Sequence, residues 1–170
     1  MTKYPEFLEK VRLVMLTVPS RSSVSDYKRL KKETDEIVGR VNGKFATINW
    51  TPIWYFYRSM AFDDLIDLYM TSDIAMITPV RDGMNLVAKE FVATRVKGDG
   101  VLILSEMAGA SKVLYEAITV NPFDLQEVSF SCICLKLCSE INGPTCVFLS
   151  IGSPILSSLN DFFSFDKTMS

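Results

Sequence analysis

Residues 73–90 read DIAMITPVRDGMNLVAKE, and the reading of this stretch decides the fold. Ile74–Ile77 is a short apolar strand, and Thr78–Glu90 turns out of it into a helical pattern. Into that single strand-to-helix turn the chain packs an acid (Asp82), a glycine (Gly83), Met84, an amide (Asn85), two helix-opening backbone donors (Leu86 and Val87) and a second acid (Glu90). An acid and a glycine at the end of a buried strand let the backbone approach a ligand closely. The N–H groups and dipole of the helix that follows favour a diphosphate. Glu90 stands about one and a half turns further on, where a carboxylate can accept from ribose hydroxyls. This is equipment for holding a sugar nucleotide.

Working outward, Val11–Val18 is a near-continuous apolar, β-branched run closed by Pro19, the pattern of a strand buried on both faces. Ser22 or Ser23 can cap a long amphipathic helix whose apolar positions run from Val24 to Val41 and which Asn42 and Gly43 are expected to close. A strand at Thr51–Tyr57 and a short helix at Asp63–Met70 precede the featured turn, and a helix over Asn85–Thr94 follows it. Then come a turn at Gly98–Gly100, a strand at Val101–Leu104, a helix start at Ala108–Tyr115 and a short strand at Ile118–Val120. Strands and helices alternating at this rhythm predict an α/β fold, a parallel Rossmann-like sheet with helices on both faces. Ligands in such sheets sit beyond the carboxyl ends of the strands. Arg21, Arg81–Glu90 and Ser105–Ala110 all fall at that edge. From Ser129 the rhythm fails, and the reading is residues 1–128 as one partial domain with 129–170 as an atypical, irregular tail.

The composition excludes several classes. With 170 residues, 48% of them hydrophobic and 22% charged, the chain matches about one globular domain. A net charge of −2 offers no basic footprint, so nucleic acid is not an expected partner. There is no histidine, which removes the commonest general base, any Ser-His or Cys-His pair and most zinc sites. Cys132, Cys134, Cys138 and Cys146 do not have the spacing of paired zinc modules, so no metal site is assigned. Polar and charged residues precede the first apolar run, and glycines and prolines interrupt the apolar tail. The expectation is a cytoplasmic chain with reduced thiols, no secretory leader and no membrane span.

Four blocks in order, Asn42–Phe45 (NGKF), the DGMNLV run, Gly100–Ser111 (GVLILSEMAGAS) and Ile118–Asp124 (ITVNPFD), closely resemble the trehalose-6-phosphate synthase family over roughly Tyr4–Val128. The resemblance implies a retaining hexosyltransferase of GT-B architecture, with this chain as part of its C-terminal, donor-binding half. Such an enzyme joins the glucose of UDP-glucose to glucose 6-phosphate and needs no further cofactor. By the same resemblance Asp82 meets hydroxyls of the donor glucose, and Gly83, Met84 and Asn85 line that wall. The N–H groups of Leu86 and Val87 meet the diphosphate, Glu90 holds the ribose, and Arg21 contacts the acceptor's phosphate. No residue is assigned as nucleophile or base. A fixed bidentate cation suits a phosphate well, which agrees with the place of Arg21 after a strand end.

Each residue also has a plainer reading. Asp82 and Glu90 can be helix charges, Asn85 an N-cap, and Arg21, Arg81 and Lys89 solvated cations. Gly109 serves either close helix-to-sheet packing or ligand approach, and the tail cysteines are inert. The resemblance lacks two parts of the family pattern: an upstream acceptor domain, with a first strand and a phosphate-clamping loop, and a helical ending. The expectation is therefore a fragment, inactive alone, that binds donor only weakly. In a sheet of order 3-2-1-4-5-6 the absent first strand is the central one, which leaves Val11–Val18 without its inner neighbour. Nothing in the tail's pattern shows that it covers the gap. Two other readings stand beside the first: a non-catalytic regulatory relative that binds sugar nucleotide or a synthase subunit, and a glycosyltransferase of another specificity, of glycogen synthase type.

Overall fold

The computed structural model describes residues 8–19, 25–124, 126–128, 131 and 145–150. In chain order it has β1 (Val11–Thr17), α1 (Ser25–Phe45), β2 (Ile53–Tyr57), α2 (Phe62–Thr71), β3 (Ile74–Ile77), α3 (Leu86–Thr94), β4 (Val101–Ser105), a 3-10 turn (Gly109–Lys112), β5 (Ile118–Val120) and β6 (Thr145–Ser150). The six strands make one sheet of order β2-β1-β6-β3-β4-β5. Every pairing is parallel.

The apolar runs are continuous because both faces of the sheet are covered. Along β3, Ile74 and Met76 pack into one core with Leu13, Met15, Ile37, Val41, Ile53 and Ile103, under α1. Ala75 and Ile77 pack into the other with Tyr69, Ala88, Phe91, Leu102 and Leu104, under α2 and α3. Successive strand residues point to opposite faces, so a strand sandwiched this way has no polar alternation to show. Fully burying a side chain the size of Phe91 or Leu104, both at 1% exposure or less, is worth roughly 1.5–3 kcal/mol.

The strands and helices stand within a residue or two of their expected places, with two differences in extent. Helix α1 does not close at Asn42 but runs on to Phe45. The Asn42 amide is engaged elsewhere: Nδ2 donates to the Ile53 carbonyl and Oδ1 accepts from the Ile53 N–H, both at 3.0 Å. It ties α1 to β2 instead of ending the helix. The segment expected to start a helix at Ala108 makes only the 3-10 turn Gly109–Lys112. There the Ser111 hydroxyl donates back to the Ala108 carbonyl at 2.7 Å, a local bond that competes with helix propagation.

The stretch after Val128, read as irregular, contributes β6. Its TCVFLS run lies between β1 and β3, with Val14 and Ala75 flanking Phe148 in register. An apolar, partly β-branched run of this length is what a central parallel strand requires. The middle slot of the sheet is thus filled by a strand from the C-terminal part of the chain.

Candidate functional site

The carboxyl ends of β3 and β4 open onto the turn between β3 and α3, and three sets of bonds shape that turn. Asp82 Oδ1 accepts from the N–H groups of Met84 (3.1 Å) and Asn85 (2.9 Å), and Oδ2 accepts from Asn85 Nδ2 (2.8 Å). Asn85 takes a left-handed φ of +66°, a region open to Asn at modest cost, and its Oδ1 caps α3 by accepting from Ala88 N–H at 2.9 Å. With Ala88 capped, the N–H groups of Leu86 and Val87 remain as first-turn donors without a partner inside the helix. Met84 and Leu86 stand 53% and 61% exposed beside them.

A second loop holds the first in place. The Gly109 N–H donates to the Asp82 carbonyl at 2.9 Å, and Asp82 and Ala108 form a parallel bridge. An added Cβ at Gly109 would stand 2.0 Å from the Gly83 carbonyl oxygen. The close contact at Gly109 is not the helix-to-sheet packing expected from sequence: what approaches it is the backbone of the neighbouring loop, at Gly83 and Met84.

Glu90 lies one turn into α3, partly exposed, and its Oε2 accepts from the Tyr69 hydroxyl at 3.3 Å. Burial, with the Glu90 charge next, pushes the Tyr69 phenol well above its ordinary value, so it stays a neutral donor. Arg81 and Lys89, the flanking cations, are exposed. Asp82, Gly83, Met84, Asn85, Leu86, Val87 and Glu90 are therefore brought together on one turn and its helix. Arg21 lies outside the described residues. Reading the sequence missed Tyr69, whose bond to Glu90 spans 21 residues and two helices and leaves no periodic trace. It also missed Thr78, buried at the end of β3 with its hydroxyl unpaired among the described residues.

The sequence matches the family model for Glycosyltransferase family 20 over residues 1–137. The chain belongs to that family.

Among its relatives in family 20, the chain is 47% identical over 129 residues to alpha,alpha-trehalose-phosphate synthase [UDP-forming] 2 of Aspergillus niger, a span of 76% of this chain and 27% of that protein. It is 50% identical over 123 residues to the bifunctional trehalose-6-phosphate synthase/phosphatase of Thermoproteus tenax, covering 72% of this chain and 17% of that one. Of the solved structures, the UDP-forming synthase of Burkholderia vietnamiensis superposes with a TM-score of 0.76 at 38% identity, over 82% of this chain and 32% of its own. The E. coli trehalose-6-phosphate structure described as bound with UDP-2-fluoro glucose superposes with a TM-score of 0.76 at 32% identity, over 96% of this chain and 34% of its own. The family 20 chain described here thus spans between 17% and 34% of the length of these four relatives. Its parallel α/β sheet with helices on both faces is the architecture expected of a GT-B half. Among the described residues, no helix is long and apolar enough to cross a membrane.

Proposed function

We propose that this chain forms the sugar-nucleotide side of a UDP-forming α,α-trehalose-phosphate synthase, which transfers glucose from UDP-glucose to glucose 6-phosphate in the cytoplasm. The observation that carries the proposal is the turn from Asp82 to Ala88. One acid and one amide there arrange a glycine-containing wall and a capped helix start, and Glu90 follows one turn on.

Each residue then has a physical task. The N–H groups of Leu86 and Val87, at the positive end of α3, receive the diphosphate and absorb charge as UDP departs. Glu90 accepts from the ribose. Asp82 already accepts three bonds, and a carboxylate offers about four lone-pair sites, so one acceptor position is left for a glucose hydroxyl. Gly83, Met84 and Asn85 line the sugar. The acceptor hydroxyl attacks from the face the diphosphate leaves, which retains configuration without a protein nucleophile. Arg21, after β1, meets the acceptor's phosphate. The acceptor side and a phosphate clamp are assigned to the length of the relatives that this chain does not span, so residues 1–128 together with β6 are read as donor domain only and turnover by the chain alone is not expected.

Calorimetric titration of UDP-glucose into the 170-residue chain tests the proposal. The expected result is weak saturable binding that Glu90→Ala and Asp82→Ala each reduce, and no UDP release when glucose 6-phosphate is added. Absence of binding, or binding indifferent to both substitutions, removes the proposal. A non-catalytic relative that binds sugar nucleotide or a synthase subunit is the second reading, and β6 favours it because the middle position of the sheet is filled by the chain's own strand. Stable co-elution with a full-length synthase at micromolar concentration would support that reading over the first.

A further inference from the structure

Tyr69 lies in α2, and its side chain reaches the helix that carries the candidate ribose carboxylate. The residue is 1% exposed. Its ring packs edge-on against Phe91, with centroids 6.3 Å apart and planes at 84°, and its hydroxyl donates to Glu90 Oε2 at 3.3 Å. A second tie joins the same two helices: the Arg95 guanidinium, at the end of α3, donates to the carbonyls of Tyr69, Met70 and Ser72, where α2 ends. Glu90 is thus flanked on α3 by Phe91, which holds the Tyr69 ring, and one turn later by Arg95, which holds its backbone.

An unrestrained glutamate on a helix surface samples several rotamers, and ordering it on binding costs free energy. A buried phenol that binds one carboxylate oxygen removes part of that cost beforehand and leaves the other oxygen to accept from a ligand. We propose that Tyr69 is a positioning residue for nucleotide recognition, holding the Glu90 carboxylate in the orientation that receives the ribose hydroxyls. The inference rests on the ribose role given to Glu90 above.

The test uses the full 170-residue chain, titrated with UDP and with 2′-deoxy-UDP. Tyr69→Phe keeps the ring and its packing on Phe91, and urea unfolding confirms that the variant is folded. If Tyr69 positions Glu90, the unmodified chain prefers UDP over the deoxy compound. The Phe variant then loses about tenfold in UDP affinity, the loss expected for one hydrogen bond to a charged group, while 2′-deoxy-UDP changes by less than about twofold. A merely structural role would weaken both ligands alike, and that outcome overturns the inference, as does an unchanged preference. Glu90→Ala separates the two levels of the argument. If it erases the preference and Tyr69→Phe does not, only the Tyr69 inference falls. If the unmodified chain shows no preference, or no UDP binding, the donor-site reading falls and takes this inference with it.

Discussion

Gly109 and Gly83 meet backbone to backbone: a Cβ at 109 would lie 2.0 Å from the Gly83 carbonyl oxygen. The two loops beyond β3 and β4 therefore act as one body, with the Gly109 N–H on the Asp82 carbonyl as the link. Because the obstructing atoms are backbone, they cannot turn aside as a side-chain tip can.

Gly109→Ala should accordingly destabilise the fold by about 1–3 kcal/mol, the range for forced overpacking. It should also displace Gly83 and Met84, weakening UDP-glucose more than UDP. Chemical unfolding and paired titrations read both effects. A variant with unaltered stability and unaltered UDP-glucose binding would show that the loops are not tied in this way.

Asn85 combines a left-handed backbone with the capping bond to Ala88. Asn85→Ala forfeits the cap, at about 1 kcal/mol, and strains a Cβ-bearing residue that no longer has the amide's local bonds, by roughly another 1–2 kcal/mol. Asn85→Gly loses the cap's side chain but is at ease at positive φ. The expected order of stability is wild type, then Gly, then Ala, by urea denaturation. The reverse order of the two variants would contradict the backbone assignment.

Tyr69 makes stability depend on alkaline pH. Its phenol is raised from 10.0 by burial first and by the Glu90 charge second. A group whose folded pKa lies above its unfolded one contributes stability that is complete below the unfolded value and declines as pH rises toward the folded value. Unfolding free energy should therefore fall from about pH 10 upward, and less steeply in Tyr69→Phe. Denaturation at a series of pH values between roughly 8 and 11 gives the comparison, and identical slopes in the two proteins would refute the attribution.

Phe148 pairs through its backbone with Val14 on one side and Ala75 on the other. Proline there removes an N–H from a strand bonded on both sides, a position where proline is essentially not found. Phe148→Pro should abolish cooperative folding, seen as loss of a thermal transition and of dispersed amide signals. A variant that melts like the parent would place β6 outside the sheet.

The parts of this molecule that sequence made legible are those whose partners lie close along the chain. Ile74–Ile77 and the turn after it form a local unit, and Asn85 caps a helix that begins at the next residue. Asn42 misled because an Asn-Gly pair usually ends a helix, whereas here the amide bonds to Ile53, 11 residues away in another element. The tie from Tyr69 to Glu90 joins two helices and has no period. For β6, the apolar run fits a buried strand, but a parallel strand carries no mark of which neighbours it will take. The sheet's middle was invisible for that reason.

That middle strand has a consequence for the order of events in the cell. Of the described strands, the one that separates β1 from β3 is the last to be synthesised. A nascent chain that has reached Val120 already holds every other described strand, but it cannot join the β2-β1 pair to the β3-β4-β5 group by the native ladder. Completion waits until Ser150 has left the ribosome, and it depends on contacts between residues very distant in sequence, which fold slowly. Until then the two half-sheets each present an open strand edge, the surface through which one chain can pair with another.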